Sequence, residues 1–167
     1  MIKMSAKQSE DFVKDFNVIN PEKLKIACVV SEWHSDITDK LFNGAVKMFK
    51  KKAIPEKNIS KISVPGSFEL IFACKNLIHK NFDAVIAIGC IIQGETRHFE
   101  FVSNAVVNGI KDLNIISDIP IILCVSTDDN INQSIDRSGG KFNKGEDSAI
   151  AALKMITFNQ WKLTSLS

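Results

Sequence analysis

The sequence predicts an α/β sandwich in which helices cover both faces of a parallel sheet. The first observation is the segment Asp83 to Gly89, apolar at successive positions from Ala84 to Ile88 rather than at alternate ones, as a strand covered on both faces requires. The second is that such runs alternate with segments of helical periodicity, joined by short connections, which is the pattern of strand-helix units with right-handed crossovers. The third is the polar turn that follows the apolar run beginning at Ala84, hinged at Gly94 and carrying Glu95, Thr96 and His98, placed where binding chemistry collects in parallel sheets.

In chain order, residues 1–20 form a polar tail whose apolar positions include Phe12, Val13, Phe16, Val18 and Ile19. These have no evident core of their own to join and suit pairing with the sheet edge of a neighbouring subunit. Residues 21–167 then form one α/β domain. Leu24 to Val30 reads as the first strand, and Asp36 opens a helix with Leu41, Ala45, Met48 and Phe49 at helical spacing. Ala53-Ile54-Pro55 breaks it, and Ile59 to Val64 alternates as a half-exposed strand. A second helix starts at Ser67-Phe68-Glu69-Leu70 and runs to about Ile78, and Asp83 to Gly89 is the third strand. Phe99, Val102, Val106, Ile110 and Leu113 mark a third helix, Ile121 to Val125 a fourth strand. Asp128-Asp129-Asn130 caps a short helix that Gly139-Gly140 stops, and Asp147 to Phe158 is the last helix.

The composition narrows the function. Lys and Arg number 21 against 19 Asp and Glu in 167 residues, a net charge of +2, so there is no basic footprint for nucleic acid. The dense run Lys50-Lys51-Lys52 ends a helix, where cations suit the dipole. Cys28, Cys74, Cys90 and Cys124 sit in apolar segments without C-x-x-C spacing, as buried small hydrophobes in a reducing cytoplasm would. No run approaches the ~18 apolar residues of a membrane span, and Met1 to Glu10 lacks a signal-peptide core. Glycine-rich dinucleotide and nucleoside-triphosphate loops, a G-x-S-x-G elbow and metal-ligand spacings are missing, which leaves acid–base work on phosphorylated, hydroxylated, planar compounds.

The candidate site residues lie at the strand ends. Trp33, among polar neighbours, suits stacking on a planar ligand or anchoring its own loop. Pro65-Gly66-Ser67-Phe68-Glu69 brings a carboxylate and backbone amides to a helix start, with Glu69 either a ligand acceptor or a dipole partner. Thr96 can cap a helix whose free N–H groups face an anion, and His98 in its first turn is a proton-transfer group or a solvated side chain. Arg137 is a phosphate fork or a helix C-terminal cap. His34 and His79 carry weaker signals.

Taken together, Val64-Pro65-Gly66-Ser67-Phe68-Glu69-Leu70, Ile88-Gly89-Cys90-Ile91-Ile92-Gln93-Gly94-Glu95-Thr96-Arg97-His98-Phe99, and Asn130-Ile131 through Arg137, Gly139, Lys141 and Asn143-Lys144-Gly145 resemble the lumazine synthase family. Ile37-Thr38, Leu41, Gly44-Ala45, Asn104 and Gly109-Ile110 extend the likeness over roughly residues 24–156. The resemblance implies a three-layer αβα sandwich around a flavodoxin-like sheet, and an enzyme of riboflavin biosynthesis. Its reaction condenses 5-amino-6-(D-ribitylamino)uracil with 3,4-dihydroxy-2-butanone 4-phosphate to 6,7-dimethyl-8-ribityllumazine, releasing phosphate and water.

By the same resemblance Trp33 stacks on the pyrimidine, and Ser67, Phe68 and Glu69 hold the ribityl chain and ring edge. Cys90, Ile91 and Ile92 form the adjoining wall, Glu95 and Thr96 offer backbone donors to the phosphate, Arg137 clamps it, and His98 shuttles protons. Leu123 matches a position contributed by the neighbouring subunit. Neither a metal nor a redox cofactor is implied. The family assembles as pentamers, free or packed into a shell of about sixty subunits, and riboflavin synthase is an implied partner. The chain departs from the common pattern at Glu32, His34, Gln93 and Arg97, and its segment after Arg137 is short, which goes with the shell rather than the free pentamer. A flavin-binding or shell-forming protein without turnover is the alternative reading of the same pocket.

Overall fold

The computed structural model describes residues 16–165, with side chains described to residue 161. Its parallel sheet is built from β1 (Ile26–Ser31), β2 (Ile59–Val64), β3 (Ala84–Ile92) and β4 (Ile121–Asp128) in the order β2-β1-β3-β4. The helices are α1 (Ser35–Lys51), α2 (Leu70–Leu77), α3 (His98–Ile116), α4 (Ile131–Arg137) and α5 (Lys144–Ser165). The central strands β1 and β3 pair in register from Ile26 opposite Ala84 to Val30 opposite Ile88, and both are buried almost throughout. That burial is why their sequences are apolar without alternation.

Period-two geometry sorts these strands into two cores. Ile26, Cys28, Val30, Ile86 and Ile88 point to the face covered by α1 and α5, where Phe49, Leu41, Ile150 and Leu153 are buried. Ala27, Val29, Val85 and Ala87 point to the face covered by α2 and α3, against Leu70, Cys74, Val106 and Ile110. The chain leaves β1 toward β2 through α1 and then reverses across the sheet, with α2 and α3 on the opposite face. A single crossover handedness demands that switch of sides. The close approach of α1 to α5 depends on Gly145, because a Cβ there would collide with the backbone carbonyl oxygen of Leu41. The result is the expected three-layer αβα sandwich, and no helix among the described residues is long and apolar enough to cross a membrane.

Several boundaries differ from the sequence reading. β3 and β4 each run three residues further than the sequence reading, through Cys90–Ile92 and Ser126–Asp128, because the two strands stay paired as far as Ile92 opposite Asp128. The second helix begins at Leu70, and Gly66 to Glu69 is a turn. The last helix spans Lys144–Ser165. Asn130 alone caps α4, its side chain accepting from the Gln133 N–H, whereas Asp128 is buried at the end of β4. Of the tail's apolar residues, Phe16 and Val18 pack on the chain's own α1–α5 core, with the ammonium groups of Lys52 and Lys154 over the Phe16 ring. Ile19 is exposed, and Phe12 and Val13 lie outside the described residues.

Candidate active site

The direction of chain travel reverses between β1 and β3, so the connections that leave these strands pass to opposite faces of the sheet, with a crevice at the strands' carboxyl ends. A cavity of about 760 Å³ occupies it, walled by the segments that follow β1, β2 and β3. Its elements are fixed to one another by the backbone. Glu32 and Trp33 donate N–H groups to the carbonyls of Val64 and Pro65, at 2.8 and 3.2 Å, so the turns after β1 and β2 continue the parallel pairing beyond the sheet. The buried Thr38 hydroxyl donates to the Ser31 carbonyl at 2.8 Å and ties the start of α1 to the same strand end.

On this frame Trp33 is 69% exposed and lines the cavity beside His34, whose backbone takes the left-handed conformation (φ 59°) as it turns into α1. A non-glycine residue in that conformation is uncommon and is held by its surroundings. The turn Gly66–Glu69 supplies the next wall, with Phe68 and Glu69 exposed to the cavity and Ser67 buried against β3. Gly89 permits that approach: a Cβ there would lie 2.7 Å from the Ser67 hydroxyl and 3.1 Å from Leu70 Cδ1. Cys90, Ile91 and Ile92 form the floor at the end of β3. Burial pushes the Cys90 thiol above its ordinary pKa, so it stays protonated near neutrality and acts as wall rather than nucleophile.

Thr96 and His98 close the far side, with Phe99, Phe101 and Val102 of α3 extending an apolar rim. Arg97 is the residue preceding α3, yet Thr96 Oγ1 accepts from the His98 N–H at 3.4 Å, so the threonine reaches a first-turn donor from one position further back. His98 is exposed at the helix start.

Glu95, Leu123 and Arg137 do not line this cavity. Leu123 is exposed on β4, at the edge of the sheet. Arg137 ends α4, where its Nε lies 3.1 Å from Oδ1 of the buried Asp128. The cavity therefore presents imidazoles and a carboxylate, with neither lysine nor arginine in its wall. Sequence reasoning gave too little weight to His34, an ordinary loop residue until its left-handed backbone turns it into the site. It also read Asp128 as a cap, because three capping residues in a row give no hint which one is buried.

The geometry can hold a planar ring against an exposed indole, meet hydroxyls at the Ser67–Glu69 turn, and move protons at an imidazole opposite. Residues 23–160 match the family model described as 6,7-dimethyl-8-ribityllumazine synthase. Proteins named 6,7-dimethyl-8-ribityllumazine synthase are similar over most of the chain. The one from Flavobacterium johnsoniae is 52% identical over 149 residues, 87% of this chain and 78% of that protein. Those from Christiangramia forsetii and Parabacteroides distasonis are 50% and 43% identical, over 84% and 87% of this chain and 86% and 92% of their own lengths. A match of this extent, on a chain whose strand-end cavity carries the family's motifs, places it: the chain belongs to the 6,7-dimethyl-8-ribityllumazine synthase family.

Proposed function

We propose that the cavity at the ends of β1, β2 and β3 is where this enzyme condenses 5-amino-6-(D-ribitylamino)uracil with 3,4-dihydroxy-2-butanone 4-phosphate in riboflavin biosynthesis. The observation that carries this reading is the convergence of Trp33, the Ser67-Phe68-Glu69 turn and His98 on one cavity. The pyrimidine stacks on the open face of Trp33, and the ribityl hydroxyls and ring edge meet Ser67, Phe68 and Glu69. Cys90, Ile91 and Ile92 keep the floor apolar, and Thr96 with Glu95 presents the amides at the start of α3 to the phosphate.

The pyrimidine amine attacks the ketone to give an imine with loss of water. Phosphate then leaves, and the second amine closes the ring with a further dehydration. Each step transfers protons between nitrogen, carbon and oxygen, which is work for an imidazole, and His98 is placed to do it. Much of the rate comes from holding the two substrates in register.

A cation would strengthen phosphate binding, and neither lysine nor arginine lines the wall of this cavity. Arg137 and the exposed Leu123 stand instead on the β4 edge. A head-to-tail neighbour that lays its β4 edge over this cavity would bring both to it, and such an interface closes into a ring. We read the enzyme as a homo-oligomer of pentamers on that basis, in a shell rather than free because the turn from Gly139 to Gly145 is short, and as cytoplasmic because its buried thiols suit a reducing compartment. Riboflavin synthase, which consumes the product in the same biosynthesis, is the proposed partner. Formation of a lumazine, read by absorbance and fluorescence on mixing the two substrates, tests the function. Flavin binding without product would leave a storage role in its place.

A further inference from the structure

Asp128 is a buried carboxylate that the reaction as described does not use. Its Oδ2 accepts from the hydroxyls of Ser126 and Ser134, the latter at 2.7 Å, so the carboxylate is fixed from two elements, β4 and α4. Its Oδ1 is buried and receives no well-aimed hydrogen bond. It faces instead the Nε of Arg137 at 3.1 Å as a charge contact. No other carboxylate among the described residues pairs with Arg137, whose side chain remains 43% exposed. A guanidinium is planar and rigid, so holding its Nε edge fixes the direction of the Nη pair at its far end.

We infer that Asp128 is a positioning residue: it anchors Arg137 through Nε and leaves the two Nη groups aligned to receive the substrate's phosphate. This rests on the reading that Arg137 is the phosphate clamp. A buried anion beside a cation can also do the opposite, drawing off the positive field and weakening anion binding. The two roles predict opposite signs when the charge of Asp128 is removed.

The test uses the full-length assembled enzyme with Asp128→Asn, Arg137→Gln and the double variant. It reads KM for each substrate and the inhibition constant of inorganic phosphate against the butanone phosphate. In Asp128→Asn the serine hydroxyls retain the amide oxygen at the Oδ2 position, which turns the amide nitrogen onto Nε, donor against donor. The phosphate inhibition constant and the butanone phosphate KM should then rise roughly tenfold, as for loss of one charged contact, with the pyrimidine KM within about twofold. In the Arg137→Gln background Asp128→Asn should add little further effect, since residues acting as one unit are not additive.

Unchanged or tighter phosphate binding in Asp128→Asn overturns the proposal, as does an equal rise in both KM values or an undiminished effect in the Arg137→Gln background. If Arg137→Gln itself leaves phosphate binding untouched, the clamp reading fails and the proposal falls with it, an outcome separable from failure at Asp128 alone. Should Asp128→Asn not assemble, Ser126→Ala removes one hydroxyl and keeps the charge. A selective rise of roughly two- to fivefold in the phosphate constants is expected there, and none would overturn the proposal.

Discussion

The indole of Trp33 stands edge-on to the imidazole of His34, with ring centroids 6.1 Å apart and planes at 83°. Trp33 is 69% exposed beside this contact, so its indole keeps open surface for a ligand, while the backbone bonds of Trp33 to the β2 turn fix its position. Trp33→Ala should raise the pyrimidine KM roughly 10- to 100-fold, the size of one lost aromatic stack with its buried area. Trp33→Phe should stay within about tenfold of the parent. Steady-state kinetics with each substrate varied separately checks this, and an unchanged pyrimidine KM in Trp33→Ala would remove the indole from the site.

His98 sits exposed at the start of α3, so its replacement should not disturb the cores on either face of the sheet. His98→Ala is expected to slow turnover roughly 10- to 1,000-fold, the range of a general acid–base contribution when substrate register persists. Far-ultraviolet circular dichroism and assembly mass should match the parent. Full turnover in the assembled variant would exclude His98 as the proton shuttle.

Gly145→Ala addresses the packing that brings α5 against α1. The added methyl would meet the Leu41 carbonyl oxygen, which belongs to the backbone and cannot rotate away. A loss of about 1–3 kcal/mol in unfolding free energy is expected from overpacking of this kind, measured by chemical denaturation. Stability equal to the parent would mean that the two helices can separate at no cost.

The buried thiols give the protein a defined alkaline limit. Burial pushes Cys124 up from 9.0 to about 11 and Cys74 up to about 12. The folded state therefore keeps protons that the unfolded chain releases above about pH 9, so stability is fully present below that pH and falls as pH rises toward 11 and 12. Denaturant midpoints measured from pH 8 to pH 10.5 should decline, and Cys124→Ala should flatten part of the decline while lowering the plateau. An identical pH slope in Cys124→Ala would show that Cys124 does not take part.

The fold was legible because β1 and β3 are covered on both faces, and only an unbroken apolar run satisfies that. The same signal misplaced the strand ends: Gly89 interrupts the β3 run although Cys90–Ile92 continue it as apolar, mostly buried residues, and Ser126–Asp128 turn polar before the β3–β4 pairing ends. Trp33, Ser67 to Glu69 and His98 could be placed because each follows a strand end, and strand ends converge in a parallel sheet. Arg137 could not be placed in this way. Its position on the β4 edge follows from strand order, which puts β4 outside β3 and away from the crevice at β1. Asp128 was hidden by its neighbours Asp129 and Asn130, since burial of one carboxylate among three capping residues is decided by tertiary packing.

The most direct test of a catalytic cavity completed by a second copy is complementation, with product formation followed by fluorescence. Subunits carrying His98→Ala, defective in the cavity, are unfolded together with subunits carrying Arg137→Gln, defective at the β4 edge, and refolded as mixed assemblies. Where an Arg137→Gln cavity receives the edge of a His98→Ala neighbour, one complete site forms, so the mixture should make lumazine well above either parent alone. Mixed assemblies verified by native mass spectrometry that show no gain over the parents would place His98 and Arg137 in the same subunit's site, or outside the site altogether, and contradict the account.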